Sequence, residues 1–302
     1  MKRIAALLMI LLLICAGCAK TPTVKIGVLE PLSGEYAAGG QLEYQGIQEA
    51  LKAYPMLDDA RVELVVADNL STEEGARQAA KSLIDQGVQI VIGSWGSSLT
   101  QAAAETLSKK NIPMVTTTAG KIENNSCFAL ELTVTQQVQA LAGVIAEQGW
   151  TRIAMVSDRN STYDMAMRQA FIDTVGKEKI CAEAHGTTEN LADCIAAMEQ
   201  EQADVLFIPS MADAAAGTTE LPILGGDVST SESVYHPIYA KDGARSVGYD
   251  GYLVAMAVLG REPKEIEGRT GRLVFDGATV IRQTWQIQTP DGVREVSPII
   301  AE

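Results

Sequence analysis

The stretch IGSWGSSLTQAAAE, Ile92 to Glu105, leaves an apolar strand through a turn bracketed by Gly93 and Gly96, offers two adjacent serines, and continues as an alanine-rich helix. A strand feeding a helix through a short polar loop is half of a βα unit, and the pattern recurs along the chain. Val24 to Leu29 precedes a glycine-rich loop and a helical stretch from Gln41 to Ala53. Val62 to Ala67 leads to Ser71-Thr72-Glu73-Glu74, which reads as a capping box opened by Ser71. Ala76, Ala79, Ala80 and Leu83 follow at helical spacing, and Gly87 is the terminating glycine. Val88 to Ile92, Ile112 to Val115, Arg152 to Val156, Ile180 to Glu183 and Val205 to Ile208 read as further strands. Ser98 to Lys109, Thr135 to Gln148, Tyr163 to Val175 and Leu191 to Gln200 read as helices between them. Continuously apolar strands in such units predict an α/β fold of parallel sheets covered by helices on both faces. In 302 residues these units divide into two doubly wound lobes, with the change of lobe around residue 135.

The last third is less regular. A short strand is expected at Pro222-Ile223-Leu224, a helix from about Val247 to Leu259, and late strands near Arg272 to Phe275 and Gln283 to Gln288. Residues 212 to 246 are rich in small and polar side chains and carry little periodicity.

Composition narrows the partners. The chain carries 24 Lys and Arg against 38 Asp and Glu, a net charge of −14, and only 5% of its residues are aromatic. An acidic surface with few stacking platforms argues against nucleic acid. Hydrophobic residues make up 47%, enough for packed cores.

Met1-Lys2-Arg3 followed by the apolar run Ile4 to Ile14 has the form of a signal peptide, and is short for a membrane span. The run ends in Cys15-Ala16-Gly17-Cys18, which resembles the lipobox of bacterial lipoproteins. That resemblance implies cleavage after residue 17, lipidation of Cys18, a tether over 18–23, and a body outside the cytoplasm. The alternative is an ordinary secretory signal with an incidental cysteine. Of the remaining cysteines, Cys181 and Cys194 are candidates for a disulfide and Cys127 is left over; three unpaired thiols are the other reading.

In open parallel sheets ligands lie beyond the carboxyl ends of the strands, where loops feed helix N-termini. Ser97 and Ser98 stand at such a place, beside backbone amides suited to a carboxylate or phosphate, with Gly93 and Gly96 letting backbone approach the anion. Ser98 is also placed to cap the helix. A nucleophilic role needs a base, and the chain's two histidines, His185 and His236, have no context that pairs them with this loop. No G-x-S-x-G elbow, zinc-ligand spacing, phosphate loop or dinucleotide fingerprint occurs, so no catalytic residue, metal or cofactor is expected.

Taken together, IGVLEPLSGEYAAGGQLEYQGIQEAL, Asp68 with STEEGARQAAKSLIDQGVQIVIG, the serine loop, NIPMVTTTAG, RIAMVSD with Tyr163, ADVLFIP, PILGGD and VGYDGYLVA follow one another in a familiar order. This series resembles the type I periplasmic-binding-protein family, the branched-chain amino-acid-binding lobe pair of ABC importers. The resemblance implies two lobes joined by a hinge that close on a small molecule without performing chemistry on it. Lobe 1 would take 24–135 plus about 237–282, and lobe 2 would take 136–236 plus about 283–302. Ser97 and Thr118 would hold a ligand carboxylate, Tyr163 would pack on the ligand as the cleft shuts, and Asp227 would face its ammonium. Where relatives carry a threonine this chain has Gly120, leaving a backbone amide, and where some carry a tyrosine it has Met211. The family is usually longer, and the shortage falls between Met211 and Gly248, giving a shortened second half. The implied function is an envelope-anchored solute-binding lipoprotein delivering an amino acid or similar carboxylate to an ABC permease. The alternatives are a ligand-sensing or accessory module signalling to a membrane partner, and an envelope serine hydrolase.

Overall fold

In a computed structural model of the protein, described for residues 21–118, 127–130, 133–238, 243–261, 265–276, 279–282 and 285–296, the stretch Val24 to Leu29 becomes β1 (Thr23–Glu30). It leads to α1 (Ala37–Ala53), the short β2 (Met56–Leu57) and β3 (Ala60–Asp68). Next come α2 (Glu73–Asp85), β4 (Ile90–Gly93), α3 (Ser97–Ser108), β5 (Met114–Thr116) and β6 (Cys127–Ala129). The cap of α2 differs from the sequence expectation. Thr72, not Ser71, accepts the Gly75 N–H at 3.0 Å. Ser71 instead accepts the Tyr36 N–H and donates to the Ser33 carbonyl, tying the loop after β1 to the loop after β3.

The chain then forms α4 (Val134–Gln148), β7 (Ile153–Ser157), α5 (Thr162–Val175), β8 (Ile180–His185), α6 (Leu191–Glu199), β9 (Val205–Phe207), the one-turn α7 (Ala212–Ala215), β10 (Ile223–Leu224) and β11 (His236–Ile238). A capping box does occur in the protein, at α4, where Thr133 and Gln136 satisfy each other's backbone N–H groups. The aperiodic segment after α7 is organised by one carboxylate. Asp213 accepts from the hydroxyls of Ser229 and Thr230 and from the amides of Thr230 and Ser231.

Last come α8 (Ala244–Gly260), β12 (Glu265–Gly268), β13 (Gly271–Asp276), β14 (Thr279–Arg282), β15 (Trp285–Thr289) and β16 (Gly292–Val296). The two late strands expected in the tail are present as β13 and β15, within antiparallel ladders that add β12, β14 and β16.

A nine-stranded sheet runs β12-β13-β14-β6-β5-β4-β1-β3-β2, its centre parallel and both flanks antiparallel. A four-stranded parallel sheet runs β10-β9-β7-β8, and a three-stranded sheet runs β11-β15-β16. The large sheet is covered on one face by α2 and α3 around Leu83, Ala103 and Leu107, and on the other by α1 and α8 around Ile47, Tyr252 and Val254. In the second lobe, α4, α5 and the three-stranded sheet enclose Leu141, Phe171, Phe207 and Trp285, while α6 and α7 cover the opposite face.

Helices α1 and α8 meet backbone to backbone. A Cβ on Gly46 would lie 1.9 Å from the Arg245 carbonyl oxygen, and one on Gly248 would lie 2.1 Å from that of Glu43. The candidate bridge between Cys181 and Cys194 is not formed: both are free thiols, as is the buried Cys127, and Cys194 Sγ lies 3.9 Å from the His185 carbonyl. Cys18 lies outside the described residues.

Candidate functional site

The parallel strands of the large sheet end together at Glu30, Gly93 and Thr116, and the turn after β4 is fixed there by side chains. Ser94 and Thr100 are fully buried. Asn69 Nδ2 donates to Ser94 Oγ at 2.6 Å, Thr100 Oγ1 donates to the Ser94 carbonyl at 2.8 Å, and Thr118 Oγ1 accepts the Gly96 N–H at 3.0 Å. The Thr118 hydroxyl thus holds the loop that presents Ser97. Gly120 lies outside the described residues.

Ser97 and Ser98 are the first two residues of α3, and both are exposed. The cap position is Gly96, at φ 71°, so Ser98 does not cap the helix, and no side chain among the described residues closes this N-terminus. Open amides in a first turn carry partial positive charge and accept an anion. The two glycines divide their work differently from the sequence expectation. Both lie at positive φ, 128° for Gly93 and 71° for Gly96, but a Cβ on Gly96 would meet nothing within 4 Å among the described residues. Gly93 lies against the protein, where a Cβ would come 2.0 Å from the Leu29 carbonyl and 2.9 Å from Glu30 Oε1.

Two features here escaped the sequence reading. Trp95 is half-buried with its ring laid over Gly39 of α1; a Cβ there would meet Cη2 at 2.3 Å and Cζ3 at 2.5 Å. The glycine pair Gly39-Gly40 inside a helix was the available signal, since such residues lower helix stability unless something must come close. Beneath the turn, Glu30 and Glu43 are fully buried beside Thr117. Burial pushes the Glu43 carboxyl up to about 7, partly offset by Thr117 and Glu30. Burial, then the neighbouring charge of Glu43, raises Glu30 well above its ordinary range.

In the second lobe Tyr163 and Asp227, which the sequence reading assigned to separate ligand contacts, bond to each other, and Gln137 joins them. Ser161 caps α5 and accepts the Asp164 N–H at 3.1 Å, which sets Tyr163 in the first turn. The Tyr163 hydroxyl is 2.9 Å from Asp227 Oδ1 and 2.9 Å from Gln137 Oε1, and the Asp227 N–H donates to Gln137 Oε1 at 3.2 Å. Burial and the Asp227 charge push the Tyr163 phenol far up, so it remains a protonated donor. Gly226 makes the approach possible: a Cβ there would sit 2.0 Å from the Tyr163 oxygen. Gln137 is only 2% exposed, and its polar head among the buried positions of α4 was the signal that marked it.

The two histidines are engaged elsewhere. His185 Nδ1 pairs with Ser157 Oγ at 3.1 Å, and His236 is buried on β11. Among the described residues no cluster of His, Cys, Asp or Glu is placed to hold a metal ion.

Residues 23–225 match the family model described as periplasmic binding protein. The chain belongs to the periplasmic binding protein family. Its members bind solutes and do not act as enzymes, and the family implies an extracytoplasmic location. A Leu/Ile/Val-binding protein homolog of Brucella abortus is 27% identical over 187 residues, which is 59% of this chain and 48% of that protein. The chain therefore spans about half the length of the curated relatives it matches. Among solved structures, the branched-chain amino acid transporter substrate-binding protein of Streptococcus pneumoniae, in complex with isoleucine, is similar with a TM-score of 0.70. It is 21% identical, and the match covers 91% of this chain and 100% of that one. A solute-binding protein of an ABC transporter from Rhodopseudomonas palustris, in complex with 3,4-dihydroxybenzoic acid, is similar with a TM-score of 0.68. It is 16% identical, and the match covers 92% and 96% of the two chains. At these identities the likeness establishes the type I α/β fold.

Proposed function

We propose that the protein captures a small carboxylated metabolite, an amino acid or similar compound, between its two lobes and delivers it to an ABC permease. Lobe 1 comprises 24–135 plus about 237–282, and lobe 2 comprises 136–236 plus about 283–302. The ligand carboxylate is received by the open α3 amides with Ser97 and Ser98, and by the loop that carries Thr118 and Gly120. Its ammonium faces Asp227, which Tyr163 and Gln137 hold in place. Cys18 anchors the chain to a membrane of the cell envelope.

The observation that carries this reading is the pairing of opposite characters. A helix start on one lobe offers N–H donors, and on the other a carboxylate receives a phenol hydrogen while its backbone N–H donates to the Gln137 amide oxygen. Ligand bound to one lobe adds contacts to the second, and that differential affinity shifts the hinge toward closure.

Calorimetry and thermal denaturation across a panel of amino acids and aromatic carboxylates test the reading. A true ligand at a hundredfold excess over Kd stabilises by about 2.7 kcal/mol. A flat response to every carboxylate on the panel overturns it. Palmitate labelling that disappears in Cys18→Ala tests the anchor separately.

A further inference from the structure

Beneath the turn that presents Ser97 lie two acids that the binding reading leaves unused. Glu30 ends β1 and Glu43 stands beside it on α1, and both are fully buried. None of their four carboxyl oxygens has a hydrogen-bond partner among the described residues. Thr117 stands beside Glu43, and its neighbour Thr118 accepts the Gly96 N–H.

The charged groups on the surrounding elements are engaged elsewhere or exposed. On β1, Lys25 donates to the Gln86 carbonyl. On β3, Asp68 is the register partner of Glu30 and accepts from the Ser33 hydroxyl and the amides of Leu32, Ser33 and Leu70, while Arg61 and Glu63 are exposed. Helix α8 approaches Glu43 at Gly248 and Thr117 at Gly251. Its Arg245 is bonded to Gln45 and paired with Glu49, and its Asp250 accepts from Arg269 and Thr270. Its Tyr249 lies under the Arg269 guanidinium, and its Tyr252 donates to the Tyr54 carbonyl. Glu35, ahead of α1, and Lys52, at its end, are exposed, and residues 92–100 and 114–118 include no charged side chain.

Two carboxyls enclosed in this way without a cation beside them cannot both ionise cheaply, so the pair keeps a proton until the medium draws it off. Burial pushes Glu43 up to about 7, which brings that loss close to neutrality. A Cβ on Gly93 would come 2.9 Å from Glu30 Oε1, so this carboxyl lies against the turn, and only Ser94 and Trp95 separate Gly93 from Gly96, the cap of α3. Ionising the pair places negative charge behind the amides that receive the ligand, in surroundings where water screens little.

We propose that ligand capture is proton-coupled: a carboxylate seated at the start of α3 and a proton held by Glu30 and Glu43 stabilise each other. The ligand binds together with a proton drawn from solvent and leaves more readily as the pair ionises. This inference rests on the binding reading above and adds the proton as a second ligand of the same lobe. Linkage fixes the sign: affinity falls as pH rises, and bound ligand strengthens the pair's hold on its proton by the same factor.

The test is calorimetry on the full protein with L-isoleucine, with 3,4-dihydroxybenzoate and with any other carboxylate of the panel that binds, in phosphate and in Tris. Affinity falls about fivefold between about pH 6 and about pH 8, the lower end of ordinary coupling between sites. Near neutrality the apparent enthalpy differs between the two buffers by the heat of the protons taken up. The double variant Glu30→Gln/Glu43→Gln loses the pH slope and the buffer dependence but still binds at the lower pH; should it not fold, Glu43→Gln alone reduces both. A flat affinity with equal enthalpies in the two buffers, or a slope that survives in these variants, overturns the coupling while the binding reading stands. Silence from every carboxylate at both pH values overturns both.

Discussion

Tyr163 and Asp227 share one hydrogen across 2.9 Å, with Gln137 Oε1 competing for it at the same distance, and only the absence of a side chain at Gly226 lets the phenol reach them. Tyr163→Phe leaves the carboxylate without the donor that orients it, and we expect ligand affinity to fall about tenfold, equivalent to about 1.4 kcal/mol. Gly226→Ala drives a methyl into the phenol oxygen and should cost at least as much. In the Tyr163→Phe background the same alanine should cost less, because the clashing atom is gone. A double-mutant cycle by calorimetry reads the coupling, and strict additivity contradicts the arrangement.

The open end of α3 responds to charge more than to hydroxyls. Ser97→Ala removes one donor and keeps the amides, so a loss of about threefold to tenfold in affinity is expected. Ser97→Asp puts a carboxylate where the ligand's belongs and should abolish binding while leaving the fold intact, since an acidic residue in a first helical turn is itself favourable. Thermal melts alongside binding curves separate the two effects. Equal losses in both variants would show that the anion is held elsewhere.

Gly39 and Trp95 form a matched pair. Gly39→Ala places a methyl inside the indole and should destabilise by about 1–3 kcal/mol, as overpacking does. It should also shift the fluorescence of Trp95, one of three tryptophans in the chain. Adding Trp95→Leu should recover most of the melting temperature. Failure to recover it means the ring does not occupy that space.

Stability should fall as pH rises from about 4.5, the ordinary carboxyl value for Glu43, through about 7, its value in the folded protein. Glu30 and Glu43 are both raised on folding, so the native state holds protons that the unfolded chain has released, and the slope is negative. Each such proton contributes up to about 1.4 kcal/mol per pH unit within that window. Below about 4.5 both states are protonated and the contribution is fully present. Glu43→Gln should flatten the profile and raise stability at pH 8, as read by urea denaturation at several pH values. A wild-type profile that climbs between pH 5 and 7 contradicts carboxyls raised by burial.

The parallel core was legible because its strands are apolar without interruption and its loops are short. Val24 to Leu29, Val88 to Ile92 and Arg152 to Val156 each lie within or beside the observed strands. Position 97 was legible for the same reason, as a helix start must follow β4. The hairpin at Thr289-Pro290-Asp291-Gly292 went unread although its turn chemistry is plain, because the strands it joins alternate weakly. Ser71 misled for a physical reason: two adjacent hydroxyls compete for one cap, and the choice between them is made by the loop at Ser33, distant in sequence. Gln137 and Trp95 act through partners in other segments, Asp227 and Gly39, so the local signals, a polar residue among apolar helix positions and a glycine pair in α1, mark a special position without naming its partner.

The reciprocal glycine contact of α1 with α8 joins residues about 200 positions apart, as the Arg245 to Gln45 hydrogen bond also does. A nascent chain synthesises the second lobe before the helix that seals the first, so Ile47 and Ala50 stay uncovered until Ala244–Gly260 has emerged. Contacts of such long sequence separation form late and leave apolar surface open to aggregation in the meantime. The helix that completes the first lobe thus sets the moment at which the newborn polypeptide ceases to need shelter.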